Sequence, residues 1–143
     1  MNNKPLILFQ GPVRSRSGYG DHTRDLITSL IKSEKYDILI APTKWGDCPE
    51  TGLEPNSTNN AISARILTGN NLQRQPDIFI NCSVPNEWNN IQLIGKYNIG
   101  ITAGIETTVC DSTWIQGCNK MDLVIVRSTH SRNIIVNSGY DKF

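Results

Sequence analysis

Short apolar runs along this chain alternate with stretches whose apolar residues recur at helical spacing. Residues 6–9 form a continuous apolar run closed by Gly11-Pro12, which reads as a first strand. Leu26, Ile27, Leu30 and Ile31 then share one helical face, with Asp21 as the expected N-cap. Residues 36–41 read as a second strand. Residues 44–59, rich in Gly, Pro, Asn and Asp, form a loop that is long for an ordinary connection. Residues 60–67 read as a short helix carrying Ile62 and Ile66. Third, fourth and fifth strands are expected at 77–81, 98–103 and 123–126. Between the last two, Trp114, Ile115, Cys118 and Met121 fall on one helical face, and Ser128 is expected to cap a final helix ended by Gly139.

Strands that are unbroken apolar runs, separated by helices, imply a parallel sheet covered on both faces. The expected fold is therefore α/β: a doubly wound, mostly parallel sheet of about five strands in a single domain spanning 1–143, with 3-2-1-4-5 the expected strand order. Ligands in such sheets bind beyond the carboxyl ends of the strands, where the order reverses. Under that order the crevice lies between the loops after the first and fourth strands.

Composition narrows the function classes. The chain has 143 residues, with 14 Lys and Arg against 13 Asp and Glu, a net charge of +1. That balance argues against a nucleic-acid or membrane-surface binder, which needs a broad basic field. The apolar run at the first strand is too short for a secretory leader, and no run approaches a membrane span of about 18 apolar residues, so a cytoplasmic protein is expected. Cys48, Cys82, Cys110 and Cys118 contain no C-x-x-C pair and read as separate thiols. With two distant His and no paired ligands, no metal site is expected.

The loop after the first strand runs from Gly11 to Gly20. Gly18 and Gly20 permit close backbone approach, the following helix start offers free N–H groups, and Arg14 and Arg16 add charge, which together suit a phosphate. It is neither a Walker loop, since no Gly-Lys-Ser/Thr follows, nor a dinucleotide fingerprint, since Thr23 stands where a third Gly is needed. Glu106 and Thr107 follow the fourth strand, where a carboxylate can orient sugar hydroxyls or take a proton. His22, in the first turn after the Gly loop, is the second catalytic candidate. Glu87 and Trp88, after the third strand, pair a carboxylate with a ring that could stack on a sugar, and Trp45 could add another such surface.

In order along the chain, Arg16 to Leu26 (RSGYGDHTRDL), Gly104-Ile105-Glu106-Thr107, the Trp114 to Asp122 stretch and the apolar strand running into Ser128 resemble the N-terminal domain of GT-B class, family 4-like glycosyltransferases. The resemblance implies a Rossmann-like, acceptor-side domain. It implies transfer of a sugar from a nucleotide-diphosphate sugar, as co-substrate, to a carbohydrate or other acceptor, with retention and with neither metal nor other cofactor. It further implies that Gly18 and Gly20 approach the donor diphosphate, with Tyr19 between them among the substrate-binding residues, that Glu106 faces the transferred sugar, and that a C-terminal partner domain supplies most of the donor site. Without that domain the chain is expected to be inactive. The alternative is a non-catalytic α/β binding or assembly module on the same scaffold.

Overall fold

The computed structural model describes residues 4–69 and 72–142. Five strands, β1 (Leu6–Gly11), β2 (Asp37–Pro42), β3 (Ile78–Cys82), β4 (Tyr97–Thr102) and β5 (Leu123–Val126), form one sheet. All neighbouring strands pair in parallel. Helices α1 (Gly18–Ser33), α2 (Ser57–Ser63), α3 (Ser112–Lys120) and α4 (Thr129–Asn137) alternate with them. The fold is α/β and Rossmann-like. The strand order, however, is β2-β1-β3-β4-β5 rather than 3-2-1-4-5, so β3 and not β4 lies beside β1.

Each face of the sheet carries its own core. On one, Ile7 and Phe9 of β1, Ile38 and Ile40 of β2 and Ile80 of β3 pack against Ile27 of α1 and Ile62 of α2. On the other, Trp88, Ile115, Cys118, Met121, Ile134 and Ile135 form a second cluster under α3, α4 and a 3-10 helix at Pro85–Asn90. Burial of Leu6, Ile7, Leu8 and Phe9 in succession is what a strand covered on both sides requires.

Local chemistry sets where the helices begin. Ser17, not Asp21, caps α1, its hydroxyl accepting from Gly20 N–H at 3.1 Å. The helix therefore starts one turn earlier than its apolar spacing suggested, and Gly18, Tyr19 and Gly20 are helical. Ser128 caps α4 through Ser131 N–H, as expected. Gly117 of α3 lies where a Cβ would stand 1.8 Å from Pro85 O, which lets α3 press against the 3-10 helix. Lys120, in the last turn of α3, donates to the carbonyls of Trp88, Asn89 and Ile91.

Candidate functional site

With β1 and β3 adjacent, the reversal of strand order falls between their carboxyl ends, not between those of the first and fourth strands. That point is filled by protein. Pro12, Val13, Thr23 and Cys82 are fully buried there, and a Cβ on Gly11 would meet Thr23 and Cys82 at 3.2–3.3 Å. The Thr23 hydroxyl is buried against the Cys82 thiol, with no other hydrogen-bond partner among the described residues. Burial pushes the Cys82 thiol pKa up, which marks it as a packing group rather than a nucleophile.

The loops after β1 and β4 nevertheless meet, across the top of β3. Tyr19 makes the join: its hydroxyl lies 3.0 Å from Thr102 Oγ1 and accepts from Ala103 N–H at 3.1 Å. Its ring stacks on Trp45 of the long loop, with centroids 4.2 Å apart. Gly104 then turns the chain with φ of +87°, and a Cβ there would strike the Ser131 hydroxyl of α4 at 2.2 Å. Beyond this turn Glu106 and Thr107 are exposed. The Thr107 hydroxyl donates to Val109 O, while the Glu106 carboxylate has no partner among the described residues.

His22 sits half-buried one turn into α1. Burial first, and the nearby Arg127 charge second, hold its imidazole below the usual 6.5, against an opposing pull from Asp25. The ring is therefore predominantly neutral at physiological pH and able to accept a proton. Arg127, just past β5, carried no sequence signal of its own; only the sheet order brings it toward α1.

Other candidates have different places. Trp88 is 0% exposed, its Nε1 donating to Asn81 Oδ1 at 2.9 Å and Ser83 Oγ at 3.0 Å, with Gly100 left bare to admit the ring. It is a core residue and not a sugar platform. Its neighbour Glu87, though exposed, thus has no open ring beside it. Gly20 is also buried, where a Cβ would lie 2.0 Å from Ser15 O; its smallness serves loop packing rather than approach of a ligand. Gly18 is exposed with open space around it.

The loop arginines are largely occupied by the chain itself. Arg16 pairs with Glu54 and donates to Thr51 Oγ1 at 2.8 Å, while Arg16 N–H bonds Pro49 O. Arg24, which sequence reading passed over, pairs with Asp21 and donates to the carbonyls of Val13 and Ser15. A polar hollow of about 470 Å³ at the start of α1 is thus lined by two cations and two anions. That is not the net-positive cradle expected of Arg14 and Arg16. Arg14 turns to a separate hollow with Glu50 and Thr51.

Among the described residues no cluster of His, Cys, Asp or Glu could hold a metal ion, and no helix is long and apolar enough to cross a membrane. What gathers at the carboxyl edge is a ledge made of the exposed start of α1, Tyr19, His22 and the loop bearing Glu106 and Thr107. Comparison of the chain with protein-family models, with curated proteins and with solved structures finds no match.

Proposed function

We propose that this domain is the acceptor-side half of a glycosyltransferase that moves a sugar from a nucleotide-diphosphate sugar to an acceptor hydroxyl, with retention and independently of metal. A second domain holds most of the donor. The observation that carries the reading is the Tyr19 tie, which binds the first turn of α1 to the end of β4. Through it the exposed helix start at Gly18, the His22 imidazole and the Glu106 loop stand on one ledge. Unpaired N–H groups at a helix start suit a diphosphate. A neutral imidazole suits acceptance of a hydroxyl proton, and an unpartnered carboxylate suits orientation of sugar hydroxyls.

In the reaction the bond from the anomeric carbon to the diphosphate oxygen breaks and a bond to the acceptor oxygen forms. The acceptor proton passes to a base, for which His22 is the candidate on this domain. Alone, the chain would bind weakly and not turn over, because the groups that stabilise the leaving diphosphate belong to the other half.

Isothermal titration with nucleoside diphosphates and their sugars tests this. Millimolar or tighter binding is expected, weakened several-fold by Gly18→Val, whose side chain would project into open space over the helix start. Absence of binding to every one of them, or binding indifferent to Gly18→Val, would refute it. A second reading, a non-catalytic binding or assembly module, is favoured by the spending of Arg16 and Arg24 on Glu54, Asp21 and backbone carbonyls. The same titration separates the two.

A further inference from the structure

The arginines beside the start of α1 are spent within the chain, Arg16 on Glu54 and Arg24 on Asp21 and backbone carbonyls. Arg127, one residue past β5, is exposed, and no hydrogen bond or ion pair holds its guanidinium among the described residues. Its direction follows from the strand before it. Val124 and Val126 pack toward α3 and α4, while Ile125 lies beside Ile101, which belongs to the core on the α1 face. Continued by one residue, that alternation turns Arg127 to the α1 face, level with Ala103. Its charge acts accordingly on the His22 imidazole of α1 and on the Cys82 thiol at the end of β3, two strands away. A guanidinium turned outward from β5 would reach neither.

Tyr19 fixes the opposite wall. Its hydroxyl lies 3.0 Å from Thr102 Oγ1 and accepts from Ala103 N–H, so the flank of α1 that bears it faces the end of β4. His22, three residues on, shares that flank. Asp21 and Arg24 border the polar hollow at the helix start instead, on the side of Asn56 and Asn59. The charges that act on His22 are Arg127 and, farther along the same helix, Asp25; on Cys82 it is Arg127 alone. Glu106, on the loop after β4, and His130, in the first turn of α4, are exposed and act on neither.

α4 begins at the same corner. Ser131 lies against the Gly104 turn, and Ser128 caps the helix through Ser131 N–H. Arg132 N–H bonds Ser128 O, which leaves the Thr129 and His130 N–H groups, next along the chain from Arg127, without helical partners. Guanidinium and helix start both favour negative charge there.

We propose that Arg127 seats an anionic group of the acceptor, a phosphate or a carboxylate, beside His22 at the carboxyl end of β4. The inference rests on the transferase reading and adds to it the class of acceptor: an alcohol that carries a negative charge near the hydroxyl to be glycosylated. The planar guanidinium pairs with either oxyanion through two parallel hydrogen bonds. The neutral imidazole then stands beside the bound anion, and the anion stabilises the imidazolium formed when the hydroxyl proton passes to it. Gly18 opens on the other side of Tyr19, with the polar hollow, so the donor diphosphate and the acceptor anion have separate seats.

NMR titration of the His22 ring in the whole chain tests this, with glycerol phosphate, glycerate and glycerol as probes and the signal assigned by its loss in His22→Gln. Millimolar or tighter binding is expected of the two anions and none of glycerol. Either anion should raise the measured His22 pKa toward or above its ordinary 6.5. Arg127→Gln should weaken anion binding at least tenfold and raise the His22 pKa of the free protein, with an unchanged circular dichroism spectrum. Arg127→Lys should restore part of the binding, and Gly18→Val should leave it as it was. Glycerol binding equal to that of the anions, anion binding indifferent to Arg127→Gln, or anion binding that leaves the His22 pKa in place would each overturn the proposal. If nucleoside diphosphates bind through Gly18 and neither anion binds, the transferase reading stands and this one falls. Anions held by Arg127 with no nucleoside diphosphate bound would refute the transferase and keep the anion seat.

Discussion

Gly18 and Gly20 show how far neighbouring, chemically identical residues can differ in role. Both lie in the first turn of α1 and both were expected to approach a ligand, yet one faces open space and the other fits under the Ser15 carbonyl. Gly20→Ala must push that carbonyl aside and is expected to cost about 1–3 kcal/mol or more, as overpacking does. Gly18→Ala meets nothing and, by restricting the unfolded chain, should be neutral or stabilising by up to about 1 kcal/mol. Urea unfolding of the two variants checks both signs. A Gly20→Ala protein as stable as the parent would mean that the loop from Pro12 to Ser17 is not held as described. At this scale the residue types were legible and their directions were not. Trp88 beside Glu87 has the composition of a sugar platform. Burial of that ring depends on Asn81 and Ser83, which precede it and receive its N–H, and on Gly100, which leaves room for it two strands from β1. Arg16 likewise reads as a phosphate ligand until Glu54, far along the chain, is found beside it. Glu106, by contrast, is where a local reading expected it, just past a strand, while His22 lies one turn further into its helix than expected because α1 begins at Gly18.

Elements were more legible than residues because their signals are local. β5 spans the apolar run itself, and the Ser128 cap of α4 was readable from one side chain. The start of α1 lies a turn before the expected Asp21 because capping by Ser17 is invisible to apolar periodicity, and the 3-10 helix at Pro85–Asn90 gives no signal because so short an element has no repeating pattern. What local pattern cannot supply is how the elements are tied at their amino ends, and there Asp77 is the centre. Its carboxylate accepts from Leu6 N–H at 2.8 Å and pairs with Lys96 at 2.7 Å and Arg74 at 3.0 Å, so it joins the starts of β1, β3 and β4. The Lys96 bond first, then the Leu6 N–H, lower its pKa from 3.8 to about 2. A depressed carboxylate stabilises the fold fully above its unfolded value, and the contribution is lost as pH falls through the folded one. The urea midpoint is therefore expected to fall as pH drops from about 4 toward about 2. Asp77→Asn should lower stability at neutral pH and flatten that acid slope, leaving the part that belongs to other depressed carboxylates such as Asp111. An unchanged slope would show the clamp to be dispensable.

The strand order belongs to the whole molecule, and here the sequence pattern was weakest. An apolar run reports that a strand is covered, not which strand lies beside it, and residues 6–9 look the same in either order. Only the assembled sheet moves the reversal point to β1 and β3 and reveals it as filled, leaving Tyr19 to bring the β1 and β4 loops together. The same assembly makes one sheet the shared wall of two cores, and that has a consequence for unfolding. Cys82 lies in the core on the α1 side, while Cys110 and Cys118 lie in the core beneath α3 and α4. Burial raises all three thiols, Cys118 to about 12, so none reacts as thiolate until its surroundings open. Cys48, on the long loop, is partly exposed. Alkylation of the native protein should therefore modify Cys48 first, with the other three protected. Neither core can open without exposing apolar residues of β1 and β3 that the other side also needs in place, since Leu6, Leu8 and Phe79 are buried as fully as Ile7, Phe9 and Ile80. Increasing urea should then expose Cys82 and Cys118 at the same midpoint, read by mass spectrometry of the labelled peptides. Labelling of Cys118 at clearly lower urea than Cys82 would mean that the α3–α4 side unfolds as a separate unit, and that the sheet does not couple its two faces.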